Sequence, residues 1–216
     1  MISDKIEILK TNIPKNITLV AVSKTKPIEM IQEASSKGHL DFGENKVQEL
    51  VIKYESLSKN IRWHMIGHLQ RNKVKYIAPF VYLIHGVDSV KLLKEINKQG
   101  LKNNRKINCL LQVHIAKEET KFGFSLEELR ELVNSKNNLL LNNINVLGLM
   151  GMATFTENKN LVKQEFDYLK TIFDELKFDF NENFEIISMG MSGDYKEAIE
   201  AGSNMIRIGS SIFGVR

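Results

Sequence analysis

Lys24 and Arg207 offer the most chemistry in this 216-residue chain, and they stand at its opposite ends. Lys24 lies in Ala21-Val22-Ser23-Lys24-Thr25-Lys26-Pro27, and Arg207 opens Arg207-Ile208-Gly209-Ser210-Ser211-Ile212-Phe213-Gly214. Each segment reads as a buried strand that ends in polar residues. If the chain closes into a barrel, the two ends meet. An amine then sits beside a guanidinium and a glycine-serine turn, which pairs a candidate aldehyde-binding lysine with a candidate phosphate cradle. Attack on an aldehyde requires the amine to lose its proton, and a desolvated mouth next to cationic Arg207 favours that loss. Lys26 has the same parity as Lys24 but follows the strand end, so it is the lesser candidate.

The elements that must position these residues follow from hydrophobic pattern. Strand-like runs are expected at Thr18–Ser23, Leu40–Gly43, Arg62–Gly67, Val81–Val87, Ile107–Ile115, Ile144–Met150, Phe184–Met189 and Asn204–Gly209, with helical segments between them. Val162, Phe166, Leu169, Phe173 and Leu176 alternate steps of four and three, one apolar helical stripe. Ser125-Leu126-Glu127-Glu128 has the spacing of a capping box, opening a helix with Leu129, Leu132 and Val133 inside. Pro27 suits a first helical turn, and Asn134 to Asn145 reads as a loop.

Eight alternating strand–helix units predict parallel strands and an α/β fold of the TIM type, a single (β/α)8 barrel spanning 1–216. No glycine-rich GxGxxG loop follows the first strand, which argues against a doubly wound sheet. Strand parity points Val20, Val22 and Lys24 inward and Leu19 and Ala21 toward the helices. The same rule puts Met205 and Arg207 inside and Ile206 and Ile208 outside. In a closed barrel the first and last strands are neighbours, ~4.8 Å apart, so Lys24 and Arg207 share one corner.

Barrels of this type often bind phosphate through the loops after strands seven and eight. Here those loops are Gly190-Met191-Ser192-Gly193-Asp194 and Gly209-Ser210-Ser211, rich in unshielded N–H groups and hydroxyl donors. A lysine facing such a cradle can pair with an anion, form a Schiff base with a sugar phosphate, or hold pyridoxal phosphate.

Composition narrows the class. Hydrophobic residues make up 43% and charged residues 26%, ordinary globular usage, and the net charge of +4 comes from lysines interleaved with acids, as in Glu118-Glu119-Thr120-Lys121. A nucleic-acid binder would concentrate its base on one element. Apolar runs are too short to span a bilayer, and Met1 to Ile6 lacks the apolar stretch of a signal peptide, so a cytoplasmic protein is expected. The single cysteine, Cys109, reads as a buried small hydrophobe. Among the histidines, His64 and His68 have i, i+4 spacing, but Gly67 denies them one helical face, so no metal site is expected. His39 and His85 read as local hydrogen-bonding residues, and Trp63 and Met150-Gly151-Met152 as packing.

Six motifs in order carry a resemblance. Val22-Ser23-Lys24-Thr25-Lys26-Pro27, Phe42-Gly43-Glu44-Asn45 with Val47-Gln48-Glu49, Trp63-His64 with Ile66-Gly67, Leu69-Gln70 and Asn72-Lys73, Gly148-Leu149-Met150, Gly190-Met191-Ser192 with Asp194, and Arg207-Ile208-Gly209 with Ile212-Phe213-Gly214 are similar to the pyridoxal phosphate homeostasis protein family. These are single-barrel relatives of the alanine racemase N-terminal domain. The resemblance implies pyridoxal 5'-phosphate (PLP) as cofactor, held as an aldimine on Lys24, with Arg207 facing the pyridine nitrogen. It implies that Ser192, Gly209 and Ser210 hold the phosphate and that Asn45 lines the same mouth. An arginine at that nitrogen disfavours its protonation and weakens the electron sink. The implied function is therefore PLP buffering or delivery without strong turnover, in a monomer that serves PLP-dependent client enzymes and binds neither nucleic acid nor membrane.

An amino-acid racemase is the rival reading. It needs bases on both faces of the cofactor, and in the racemases the second base comes from a C-terminal domain that is not expected here. A cofactor-free Schiff-base aldolase would want a lysine on the sixth strand, which has none. Two positions depart from the common family pattern. Lys46 follows Asn45 where relatives carry an aromatic, and reads as a solvated helix start. His114 stands where asparagine is commoner; it reads first as a hydrogen-bonded structural histidine and otherwise as an unassigned acid or base reaching the mouth.

Overall fold

The computed structural model describes residues 1–117, 122–135, 140–180 and 182–214. Eight strands form a closed, all-parallel barrel in sequential order: β1 (Thr18–Val22), β2 (Asp41–Glu44), β3 (Arg62–Met65), β4 (Leu83–Val87), β5 (Ile107–Gln112), β6 (Ile144–Met150), β7 (Ile186–Ser188) and β8 (Met205–Ile208). Around it lie α1 (Ile2–Thr11), α2 (Ile28–Ser36), α3 (Val47–Ser56), α4 (Val74–Ile77), α5 (Val90–Lys102), α6 (Leu126–Ser135), α7 (Lys159–Phe180), α8 (Tyr195–Glu200) and α9 (Ser210–Phe213). The expected (β/α)8 architecture is the observed one.

Two apolar cores follow from strand parity. Val20, Leu83, Leu110, Met150 and Met205 form a plug inside the barrel. Leu19, Ala21, Phe42, Ile206 and Ile208 face outward into the larger core beneath the helices. The α7 stripe Val162, Phe166, Leu169, Phe173 and Leu176 is buried there throughout. Burial of a side chain of this size is worth roughly 1.5–3 kcal/mol, so this shell supplies most of the drive for folding. The capping box at α6 forms reciprocally: Ser125 N–H donates to Glu128 Oε2 (2.8 Å) and Glu128 N–H to Ser125 Oγ (3.2 Å).

Boundaries differ from expectation where ladders end before the apolar run does. β3 stops at Met65 and β5 at Gln112, and β2 runs on to Glu44. Pro27 stands one residue before α2, extended at ψ 156°. Of the expected loop from Asn134 to Asn145, Asn134 and Ser135 close α6 while Ile144 and Asn145 open β6, and 136–139 lie outside the described residues. The charge-mixed run 118–121 lies outside them too. Ser210 and Ser211, expected in a loop, begin the one-turn α9. Among the described residues no helix is long and apolar enough to cross a membrane, and no group of acids, histidines and cysteines could hold a metal ion.

Candidate functional site

Lys24, Asn45, Ser192, Arg207, Gly209 and Ser210 all line one cavity of about 530 Å³ at the C-terminal ends of the strands. Val22, Ile66 and Met152 supply apolar wall, and Lys26 lies at the same opening, its Nζ donating to Gly214 O at 3.2 Å. Residues separated by most of the chain thus converge because β1 pairs with β8. The register sets their depth: Val20 lies opposite Arg207, so Arg207 belongs to the barrel interior while Lys24 stands beyond the last β1 residue.

The loop that presents Lys24 is pinned on both sides. Lys53 of α3 donates to Ser23 O (2.8 Å), Glu44 Oε1 (2.8 Å) and Glu49 Oε1 (2.7 Å). The Thr25 N–H donates to that same Glu49 oxygen, and Ser23 Oγ donates to Glu44 Oε1 at 2.6 Å. Thr25 accepts a left-handed φ of 64°, uncommon for a β-branched residue. Burial pushes the Glu44 carboxyl above its ordinary range, partly offset by the bonds from Lys53 and Ser23. Its Oε2 meets no hydrogen-bond donor among the described residues.

Asn45 is seated by a close backbone approach. A Cβ on Gly67 would lie 2.4 Å from Asn45 O and 2.8 Å from its Cα, so the β3 exit admits only glycine there. On the far wall, Gly190 at φ 97° turns the chain out of β7, and a Cβ there would meet Ala198 Cβ at 2.7 Å. Ser192 Oγ then accepts the Gly209 N–H at 3.3 Å, joining the loops after β7 and β8. Lys159 steadies this corner through Gly193 O (2.8 Å) and Glu197 (2.9 Å).

Arg207 is buried, with Nη1 donating to Ser188 Oγ (2.6 Å) and Nη2 to Gly151 O (3.1 Å). Burial pulls its pKa down to about 10, the Asp194 charge working the other way, so the guanidinium stays cationic at neutral pH. Beneath it the barrel holds a run of polar groups: the sequence reads His85 as a local hydrogen-bonding residue and His64 only by its spacing to His68, and carries no expectation for Asp41 or Ser188. His85 Nδ1 lies 3.0 Å from Ser188 Oγ, His85 Nε2 lies 2.9 Å from His64 Nδ1, and His64 Nε2 lies 3.1 Å from Asp41 Oδ1. Period-two parity, applied to β3 and β4 as it was to β1 and β8, is the signal that would have found them.

The remaining sequence candidates fall elsewhere. His114 is not among the cavity-lining residues, and its N–H donates to Phe124 O at 3.1 Å. His68 contacts Asp88 (2.9 Å) at the surface, away from buried His64. His39 Nε2 lies 2.9 Å from Asp41 O. Lys46 is exposed at the start of α3, and Trp63 and Cys109 are buried packing residues.

The donor set suits a phosphorylated aldehyde. The Lys24 and Lys26 amines stand at the mouth, the Arg207 cation lies deep in the wall, and the Ser192 and Ser210 hydroxyls and the Gly209 turn line the same cavity together with the apolar Val22, Ile66 and Met152.

The alanine racemase N-terminal domain family matches residues 1–216. The chain is 43% identical over 199 residues to a pyridoxal phosphate homeostasis protein of Aquifex aeolicus, covering 92% of this chain and 86% of that one. It is 38% identical over 208 residues to one from Vibrio alginolyticus, covering 94% and 88%. PipY of Synechococcus elongatus, solved with PLP bound, superposes with a TM-score of 0.89 at 30% identity over 99% of this chain and 100% of that one. An alanine racemase of Clostridium difficile shares the fold at 14% identity and a TM-score of 0.83, all of this chain matching 60% of that one. With relatives at this identity matched across more than nine-tenths of its length, the chain belongs to the pyridoxal phosphate homeostasis protein family.

Proposed function

We propose that this chain binds PLP in the 530 Å³ cavity and serves intracellular vitamin B6 homeostasis, buffering the cofactor or delivering it to PLP-dependent enzymes. The observation that carries this is the convergence of Lys24, Arg207, Ser192, Gly209 and Ser210 around one cavity. When bound, the cofactor supplies an aldehyde electrophile and an electron-withdrawing pyridine ring. Lys24 Nζ condenses with the aldehyde carbon as water leaves, a Schiff base that holds the cofactor covalently. Ser192, Gly209 and Ser210 would receive the phosphate, the Gly209 N–H turning from Ser192 Oγ to do so, while Asn45 would flank the ring and Arg207 face the pyridine nitrogen. The whole chain acts as a single cytoplasmic, monomeric binding domain, and PipY with PLP bound supports the reading from a relative.

The test is spectroscopic and chemical. The purified protein should be yellow, and borohydride reduction followed by peptide mapping should place a pyridoxyl group on Lys24. A protein that takes up no PLP, or label on Lys26 alone, would overturn the assignment. The absence of strong turnover has its own measurement. An unprotonated pyridine is a poor electron sink, so the α-hydrogen of L-alanine in deuterated water should exchange far more slowly than about 1 s⁻¹, the lower end of ordinary enzyme turnover.

A further inference from the structure

We propose that Asp41, His64, His85 and Ser188 are positioning residues for Arg207, forming a one-directional file of hydrogen bonds across the barrel in which both histidines are neutral and carry their proton on Nε2. The file runs from Asp41, at the start of β2, through β3 and β4 to Ser188 at the end of β7, then to Arg207.

Its direction follows from counting hydrogens. The guanidinium of Arg207 can only donate, and the carboxylate of Asp41 can only accept. Asp41 is held ionised: burial works to raise it, but bonds from His64 and Arg62 prevail and bring it below the ordinary range. Between these ends stand a serine and two histidines, and beyond the Arg207–Ser188 bond three junctions remain, Ser188–His85, His85–His64 and His64–Asp41. Three neutral groups bring one hydrogen each, and one arrangement fills every junction. Ser188 donates to His85 Nδ1, His85 Nε2–H donates to His64 Nδ1, and His64 Nε2–H donates to Asp41. Any other arrangement needs a further proton in a fully buried pair of rings or leaves facing lone pairs about 3 Å apart, too close for a water to bridge them. Burial, which lowers both histidines, opposes the extra proton.

The consequence lies at the top of the file. Ser188 has spent its hydrogen on His85, so it presents only lone pairs to Arg207 Nη1, while Gly151 O takes Nη2. These two acceptors fix the plane of a guanidinium that the proposed function places against the cofactor ring. Asp41 thereby sets the orientation of a cation at the other end of the file, while Arg62, donating through Nε (2.7 Å) and Nη2, neutralises Asp41 from below.

This inference rests on the proposed function only in its last step, and the experiment separates the two. Long-range ¹H–¹⁵N correlation spectra of the PLP-free protein near neutral pH should show His64 and His85 neutral and protonated at Nε2. Either ring protonated at Nδ1, or charged, overturns the proposal whether or not PLP binds. Ser188→Ala, a small deletion that tests the same file without Asp41, should weaken PLP retention about tenfold by removing an acceptor from a charged donor. Undiminished retention in a yellow Ser188→Ala protein would overturn the positioning role alone. A wild-type protein that stays colourless would overturn the proposed function and leave the tautomer result to decide the file.

Discussion

Behind Lys24 lies a cluster of full charges, and behind Arg207 a file of neutral groups. The first sits outside the barrel, between β2 and α3, where Lys53 gathers Glu44, Glu49 and the Ser23 carbonyl. The second fills the barrel interior, where the nearest carboxylate on the file stands three groups away from the guanidinium. The contrast follows from the solvent each can reach. Glu49 remains 22% exposed, so part of that cluster keeps its hydration and charge can clamp a loop directly. His64 and His85 are wholly buried, and there a second ion would cost more than it returns. The loop at the mouth is fixed by charge, and a side chain rooted in the wall by geometry.

The contrast is tested hardest at Lys53. Lys53→Met strands Glu44 in the interior without a cation, and a loss of about 3–5 kcal/mol is expected in urea denaturation near neutral pH. Glu44 already titrates above its ordinary range, so the folded state takes up this proton more readily than the unfolded one. Stability from this group therefore falls as pH rises through the window above the ordinary carboxylate value, and the Lys53→Met deficit should shrink in mild acid. A deficit below about 1 kcal/mol would mean that the cluster behaves as a surface ion pair.

The interior file should respond to pH with the opposite sign. Burial, the largest cause for each, lowers His64 and His85, and it lowers His39 to about 4. The unfolded chain binds protons at about 6.5 that the folded chain refuses, so stability is present above that pH and is lost as pH falls. Each histidine contributes a slope of up to about 1.4 kcal/mol per pH unit. Urea midpoints measured between about pH 7 and about pH 5 should fall accordingly, and replacement of His85 by Gln should flatten the slope. A midpoint flat across that range would show the rings charged or hydrated in the folded state.

The smallest effect is expected at Thr25. Glycine tolerates the left-handed φ of 64° without a Cβ penalty, so Thr25→Gly should stabilise by up to about 1 kcal/mol while leaving the N–H bond to Glu49 in place. A loss instead would show that the threonine side chain is gripped as well as its backbone.

The sequence by itself determined the barrel, because strand–helix alternation and outward apolar residues such as Leu19, Ala21, Ile206 and Ile208 satisfy one packing solution. It also determined which residues end at the mouth, since parity and closure depend only on order along the chain. Lys24 and Arg207 were legible in that way, the turns that carry Ser192, Gly209 and Ser210 from their place after the last two strands, and Asn45 only through the family resemblance. Depth and partnership were not. That Arg207 lies opposite Val20 rather than beside Lys24 is a matter of register between strands. Lys53 and Glu44 lie nine residues apart on different elements, and only the seating of α3 on β2 brings them together. His85 and Ser188 are 103 residues apart, and only the closed barrel sets one against the other. Local pattern reports which face a side chain takes, whereas hydrogen-bond partners across a core depend on distances that the assembled fold alone supplies.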